Sequence, residues 1–150
     1  MGWNSVLNVR IPTLQEIDQD SIWIATQIDL TDMHVPGAES YSGKIPRGRE
    51  YLFPAYWCAI SPDVLRENMQ AITLQLLVNG EIVPDQDIFT YNYDANSGWH
   101  CTYRSVMLSG WKPDSQYVLE VKRTLEREVF DGQSSYAAGS YDYKLVLAVR

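Results

Sequence analysis

One strand–turn–strand segment, Leu108 to Val121, constrains the fold of this chain more than any other part of the sequence. Its turn contains Pro113, which presets a backbone φ angle, and Gly110, which accepts a backbone conformation that other residues resist. Tyr117 follows the turn, where its ring can enter a core while its hydroxyl returns to the backbone upstream. This arrangement, a tyrosine corner, is typical of domains made of two packed β-sheets. We therefore predict an all-β sandwich with Tyr117 as its structural corner.

Alternation of apolar and polar residues extends this prediction to most of the chain. Ala71–Val78 and Gln116–Thr124 alternate with the two-residue period of half-buried strands. Asn79-Gly80 follows the first of them and predicts a tight hairpin turn. The one segment that reads as a helix is Pro62–Gln70, which Ser61 could cap. Other predicted strands are Ser21–Leu30, Glu50–Ile60, Ile88–Tyr93, Trp99–Leu108 and Ser140–Val149.

The N-terminal third of the chain has a different pattern. Residues 31–48 contain Pro36-Gly37 and several further turn residues, and they predict a long loop. We expect residues 1–48, strands and loop together, to pack on or complete an immunoglobulin-like sandwich core formed by residues 49–150. Val6–Ile11 reads as a short strand isolated from that core, which could pair with a strand of another chain.

Charge and hydropathy exclude two classes of partner. The formal net charge of −7 disfavours nucleic acids and anionic membrane surfaces, since both require basic patches. No apolar run approaches the roughly 20 residues that a membrane-spanning helix needs, so we expect no membrane insertion. The first residues lack the basic and apolar regions of a secretory leader. Two alternatives remain, an intracellular protein and a secreted protein whose leader is absent from this chain.

The two cysteines, Cys58 and Cys101, both fall within predicted strands. They either form a disulfide, between strands or between sheets, or remain two separate buried thiols. The disulfide is the favoured reading, and it predicts an oxidising compartment, outside the cell or in the cell envelope.

Trp111-Lys112-Pro113-Asp114-Ser115-Gln116-Tyr117 resembles the turn between the E and F strands of fibronectin type III domains. That turn has a Leu, a Pro two positions on, a Thr or Ser two further and a Tyr two beyond, with Trp111 here in place of the Leu. Trp57 is similar in position to the buried tryptophan of that family's second strand, and Ile72–Gly80 looks like its third strand and following turn. The resemblance covers Arg49–Arg150.

This resemblance implies an immunoglobulin-like, fibronectin type III-like antiparallel β-sandwich with an N-terminal strand extension. Three features depart from the family pattern, namely the cysteine pair, the insertion Ser61–Gln70 and the N-terminal extension. Domains of this kind usually serve as adhesion modules, spacers or binding scaffolds. The expected function is therefore that of a non-enzymatic extracellular or cell-surface module, a binding or structural protein that acts through protein contacts or self-assembly.

Aromatic residues near one loop form the candidate binding site. Tyr91, Tyr93, Trp99 and Tyr103 flank the loop Asp94–Gly98, with carboxylate, amide and imidazole groups beside them. Such a mixture suits a protein contact, and it also suits a sugar, whose ring stacks on aromatic faces. A third interpretation is ordinary core filling. A carbohydrate-binding module is thus the alternative to a protein-binding module.

No pattern in the sequence predicts catalysis. His34 and His100 could each act as a base, but neither lies in a recognisable nucleophile or metal motif. We therefore expect no enzyme activity, no cofactor and no metal site. Paired acids read as surface residues rather than calcium ligands: Asp29 with Asp32, and Asp85 with Asp87.

Overall fold

A computed structural model describes residues 7–17, 24, 33–95 and 97–150, which form two main β-sheets packed on one another. Short helices and a two-stranded ribbon are added to these sheets. The elements in chain order are β1 (Asn8–Arg10), α1 (Leu14–Ile17), β2 (Gly37–Ile45), β3 (Tyr51–Ala59), α2 (Pro62–Met69), β4 (Ile72–Val78), β5 (Glu81–Ile82), a 3₁₀ turn (Asp85–Asp87), β6 (Phe89–Asp94), β7 (His100–Ser109), β8 (Gln116–Leu125), β9 (Val129–Phe130), β10 (Ser135–Tyr136) and β11 (Gly139–Val149).

The first sheet is organised around β7, which pairs with β3 on one side and with β1 and β6 on the other, antiparallel throughout. The second sheet has the order β2-β11-β8-β4-β5, in which β2 lies parallel to β11 and the other pairs are antiparallel. β9 and β10 form the separate ribbon. The all-β architecture predicted from alternation is confirmed.

The core fills the space between the two sheets. Alternate residues of each strand face it, as the period of two requires. Phe53 and Ala55 enter from β3, and Leu119, Val121 and Leu145 enter from the second sheet, all essentially without solvent exposure. Each fully buried large apolar side chain contributes about 1.5–3 kcal/mol relative to an exposed one. The sandwich is therefore stabilised mainly by this interface.

Tyr117 closes one end of the core. Its ring is fully buried and packs edge-on against Trp111, with ring centroids 5.2 Å apart. Its hydroxyl accepts a hydrogen bond from the backbone N–H of Lys112 at 3.1 Å. The Trp111 indole N–H donates to the carbonyl of Leu108 at 3.3 Å. These contacts fix the turn between β7 and β8.

Short sequence patterns correctly predicted the turn after β4 and the helix after β3. Asn79 and Gly80 adopt positive φ angles of 49° and 83° in the turn between β4 and β5, as a tight hairpin requires. α2 begins after Ser61, whose side chain accepts the backbone N–H of Val64. The predicted hairpin and the predicted helix are both confirmed.

The N-terminal predictions need two corrections. Residues 31–48 are not one long loop, because Gly37–Ile45 form β2 at the edge of the second sheet. Most of β2 is exposed, so its sequence lacks the apolar–polar alternation that marks a half-buried strand. Nor is the described part of the predicted strand Val6–Ile11 isolated, since Asn8–Arg10 pair with β7 of the same chain and Leu7 is buried. The predicted strand Ser21–Leu30 lies outside the described residues except for Ile24, which is buried in the core.

α1 is held by an interaction that the sequence analysis did not identify. The Glu16 carboxylate accepts the backbone N–H of Thr13, and the Thr13 hydroxyl accepts the backbone N–H of Glu16, which is a capping box. Arg10 bridges Glu16 to Glu50 and lowers the pKa of the Glu16 carboxyl to about 2. Neither helix in the described part of the chain combines the length and the apolar character that a bilayer crossing requires.

Candidate functional site

Strand register brings tyrosines from three strands into a row. Tyr103 of β7 lies opposite Tyr91 of β6 on one side and opposite Tyr56 of β3 on the other. The Tyr91 and Tyr103 rings stack with centroids 5.5 Å apart and planes 11° apart, and those of Tyr103 and Tyr56 stack at 4.9 Å and 21°. Phe89 stacks on Tyr91 at 5.4 Å. We call Phe89, Tyr91, Tyr103 and Tyr56 the tyrosine ladder.

The tyrosine ladder lies on the face of the first sheet that is turned away from the main core. In β3, Phe53 and Trp57 belong to that core, so alternation places Tyr56 on the other face. At the Phe89 end, a second cluster formed by Ile17, Leu52 and Met107 covers the rings. One end of the tyrosine ladder is therefore part of a small core.

The other end reaches solvent. Tyr56 is 36% exposed. Tyr93, which packs edge-on against Tyr103 with centroids 5.9 Å apart, is 43% exposed. Large exposed aromatic side chains side by side on a sheet are unusual, because they leave apolar surface in water. This end of the tyrosine ladder is the more suitable one for a contact with another molecule.

The Tyr103 hydroxyl remains neutral at physiological pH. Burial raises the pKa of Tyr103, and the neighbouring Tyr56, Tyr91 and Tyr93 raise it further because a second phenolate would be repelled. The Tyr91 hydroxyl lies 3.3 Å from that of Ser105. Neutral phenols both donate and accept hydrogen bonds, so this surface combines apolar ring area with polar groups.

A groove of about 410 Å³ adjoins the tyrosine ladder where β3 ends and β7 begins. We call it the aromatic groove. Its lining includes Tyr56, Trp57, Trp99, Tyr103, Arg123 and Tyr136. Tyr136 packs edge-on against Trp57 at 4.9 Å and stacks with His34 at 5.9 Å. Rings from three separate parts of the chain thus support one another along the groove.

The disulfide joins two strands beneath this site. Cys58 and Cys101 are bonded, face each other in the β3–β7 register, have Cα atoms 4.0 Å apart and both line the aromatic groove. The predicted disulfide is confirmed, and of the two alternatives it is the inter-strand form within one sheet. Because Tyr56 and Tyr103 are the next residues on the same face, the disulfide fixes the register that makes them stack.

Hydrogen bonds from α2 and a neighbouring turn orient the groove wall. The Trp57 indole N–H donates to the side-chain carbonyl of buried Asn68 at 3.0 Å, and the Asn68 amide donates to the carbonyl of Phe130 at 2.9 Å. Asp131 accepts two backbone N–H groups of its own turn, both at 2.8 Å. Trp57 is therefore held in one orientation by a satisfied buried network.

The structure brings most of the predicted aromatic residues together. Tyr91, Tyr93 and Tyr103 lie on one face, and Trp99 lines the aromatic groove with Tyr103. The sequence analysis missed Tyr56 and Arg123, which also line the aromatic groove. The sequence could have predicted the position of Tyr56, because Tyr56 precedes Cys58 by two residues and therefore lies on the same face of the strand.

The histidines and acids do not assemble into a reactive centre among the described residues. The His100 Nδ1 lies 2.7 Å from the Asp94 carboxylate in an exposed pair. His34 is stacked on Tyr136, and Asp85 pairs with Arg104. In the described ranges, no group of three or more His, Cys, Asp and Glu side chains is arranged to hold a metal ion. Asp29 and Asp32 lie outside those ranges.

Comparisons with known proteins give little. No protein-family model matches the chain, and no curated protein matches it. Among solved structures, it is similar to a chain in the structure of PbICP-C in complex with falcipain-2, with a TM-score of 0.45 and 11% sequence identity. That match covers 81% of this chain and 96% of the other. A similarity this weak carries no functional argument.

Proposed function

We propose that this chain is a non-enzymatic protein-binding module that works outside the cell or at its surface. The observation that carries the proposal is the solvent-exposed end of the tyrosine ladder, next to an aromatic groove whose walls are fixed by a disulfide and buried hydrogen bonds. Tyrosine and tryptophan are enriched at protein interfaces because they bury a large area with little loss of side-chain freedom. A rigid aromatic surface of this kind favours a protein partner.

The way the rings stack favours protein over sugar. A sugar ring binds to an open aromatic face, but each inner ring of the tyrosine ladder has its faces against its neighbours. What such a stack presents outward is ring edges and hydroxyls. Ring edges and hydroxyls suit contacts with peptide carbonyls, N–H groups and apolar side chains.

The topology supports an immunoglobulin-like sandwich. The neighbours β3, β7 and β6 correspond to strands B, E and D of that fold, and β4, β8 and β11 correspond to C, F and G. The turn with Tyr117 lies between the strands that correspond to E and F. Two features differ: β1 pairs with β7 rather than with β3, and the disulfide lies within one sheet. The fibronectin type III-like assignment remains part of this proposal.

The disulfide supports the extracellular part of the proposal, because disulfides persist in oxidising compartments and are rare in the cytosol.

A photo-crosslinking experiment tests the proposed interface. The phenylalanine analogue p-benzoylphenylalanine replaces Tyr93 in one version of the protein and Ile82 in another. Ile82 is a matched control, because it is 58% exposed and belongs to β5 in the second sheet. Each version is irradiated with the secreted and envelope fractions of the source organism. We expect a discrete protein adduct from position 93 and none from position 82.

Competition then separates a specific contact from a sticky aromatic patch. Excess unlabelled protein should abolish the adduct, whereas the Tyr93→Ala and Tyr56→Ala variants should compete at least tenfold less well. Equal adducts from both positions, or full competition by both alanine variants, would contradict the proposal. An adduct with the mass of a second copy would identify the partner as the chain itself, and light scattering would check it.

Carbohydrate binding is the second candidate function, and Trp99 is the residue in its favour. Trp99 is half-buried in the aromatic groove, and no ring of the described residues stacks on it. An open indole face beside polar groups can receive a sugar. A glycan-array signal that Trp99→Ala removes without lowering the thermal midpoint would support this function over the first. An unchanged array would dismiss it.

A further inference from the structure

Arg123 is a cation in the aromatic groove that forms no salt bridge with the described residues, although it interacts electrostatically with the Asp142 carboxylate. It extends from β8 and is half-buried. Its Nε donates to the carbonyl of Tyr141 at 3.3 Å, and its guanidinium carbon lies 5.9 Å from the centroid of the Tyr143 ring. None of the ion pairs in the described part of the chain involves Arg123.

The other charged groups that line the groove form no ion pair with Arg123. Asp131 lines the groove, but its Oδ1 already accepts two backbone N–H groups of its own turn. His34 also lines the groove and is a base, so it supplies no negative charge. Arg123 therefore keeps its two terminal NH₂ groups without a protein acceptor among the described residues. A half-buried guanidinium in this state favours binding of an external anion.

Geometry and charge select which anion. The guanidinium is planar, and its two parallel N–H groups match the two oxygens of a carboxylate. Aromatic walls formed by Trp57 and Tyr136 lie along the same groove and suit an apolar neighbour of that carboxylate. The chain carries a net charge of −7, which repels a run of acids and favours a single one.

We propose that the aromatic groove binds a peptide segment of the protein partner in which one Asp or Glu side chain stands beside an apolar residue. Arg123 pairs with the carboxylate, and the apolar side chain packs against Trp57 and Tyr136. This inference rests on the proposed function, because it names the part of a protein partner that the site recognises.

The probe is a phage-displayed library of random heptapeptides, selected on the immobilised full chain. Matched selections use Arg123→Met and Lys122→Met. The lysine variant loses one positive charge on the adjacent residue of β8, whose side chain points to the opposite face of the sheet. We expect the wild-type protein and Lys122→Met to enrich peptides with one Asp or Glu next to an apolar residue, and Arg123→Met to lose them.

Affinities of an enriched synthetic peptide complete the test. Arg123→Met should weaken binding about 10- to 100-fold, the effect of losing a charge-assisted hydrogen-bonded pair, and Lys122→Met less than about 3-fold. Changing the acid of the peptide to its amide should weaken wild-type binding equally and leave Arg123→Met unaffected. Arg123→Lys keeps the charge but not the planar fork, and should give an intermediate loss. Urea unfolding of each variant shows whether the fold is retained.

The outcomes separate this inference from the proposed function. Enriched peptides that lack an acid, yet depend on Tyr93 or Tyr56, would overturn the role of Arg123 and leave the protein-binding proposal standing. Peptides that bind only through a free C-terminal carboxylate would also overturn the side-chain assignment. Failure to enrich any peptide, together with no adduct from position 93, would overturn both.

Discussion

Three buried tyrosines differ in what their hydroxyls contact, and this difference predicts opposite effects of the same substitution. The Tyr117 hydroxyl accepts the Lys112 N–H, and the Tyr141 hydroxyl donates to the carbonyl of Ala137 at 2.7 Å. The Tyr51 hydroxyl is buried and has no hydrogen-bond partner in the described part of the chain. A buried hydrogen bond adds about 1 kcal/mol to the free energy of unfolding, whereas an unpaired buried polar group costs about 1–3 kcal/mol.

Tyr117→Phe should therefore lower the free energy of unfolding by about 1 kcal/mol, because the hydrogen bond from the Lys112 N–H is only part-buried and water recovers part of the loss. Tyr51→Phe removes a buried hydroxyl that has no hydrogen-bond partner among the described residues, and should raise the free energy of unfolding by about 1 kcal/mol. Both rings meet Trp111 edge-on, at 5.2 Å and 6.0 Å, so the aromatic packing that remains is comparable. The two variants should differ by about 2 kcal/mol.

Urea unfolding at pH 7, followed by far-UV circular dichroism, measures this difference. In a domain of this size, each kcal/mol also shifts the thermal midpoint by about 2–4 °C. Tyr141→Phe is the control for a hydroxyl that donates a hydrogen bond, and it should lower the free energy of unfolding, as Tyr117→Phe does. If Tyr51→Phe destabilises the protein as much as Tyr117→Phe does, the hydrogen bonding of the buried hydroxyl does not determine these changes in the free energy of unfolding, and the reasoning is wrong.

Two further predictions concern charge and backbone geometry. Glu16→Gln keeps the capping geometry but loses the ion pair with the part-exposed Arg10, and should cost about 0.5–1 kcal/mol at pH 7. The folded-state pKa of Glu16 is lowered to about 2 from 4.5, so the difference in free energy of unfolding between the wild-type protein and Glu16→Gln should be complete above pH 4.5 and shrink as pH falls toward 2. Urea unfolding at pH 7, 4 and 2.5 measures this difference, and a constant value would contradict the prediction. Gly132→Ala should cost about 2–3 kcal/mol, because φ is +102° and the new Cβ would lie 2.0 Å from Cγ2 of Ile60. Gly48→Ala, with φ of +79° and open space around it, should cost only about 1 kcal/mol, and equal melting temperatures for the two variants would refute the steric argument.

Apolar–polar alternation predicted the strands whose two faces differ. β4, β8 and β11 alternate because one face meets the core and the other meets solvent, so the alternation locates them within a residue or two. β2 has no such contrast, since it is an exposed edge that pairs in parallel with the distant β11. Its existence depends on backbone hydrogen bonds to a strand about a hundred positions later, which no local pattern encodes.

The site was predictable only in part for a related reason. Tyr91, Tyr93 and Tyr103 flank one loop, so proximity in sequence identified them. Arg123 and Tyr136 reach the aromatic groove from the second sheet and from the ribbon, through packing that the sequence does not specify. Their positions in the groove follow from the way the two sheets and the ribbon pack together.

Predicting the position of Tyr56 required the register of β3 against β7, and the Cys58–Cys101 disulfide could have supplied it. In an antiparallel pair, moving two residues back along one strand corresponds to moving two residues forward along the other. If Cys58 lies directly opposite Cys101, then Tyr56 must lie opposite Tyr103 and on the same face. Mapping the disulfide by mass spectrometry would have reduced the possible pairings of these strands to a few. The chemistry of two cysteines, rather than any aromatic pattern, was therefore the strongest unused evidence for where the tyrosine ladder forms.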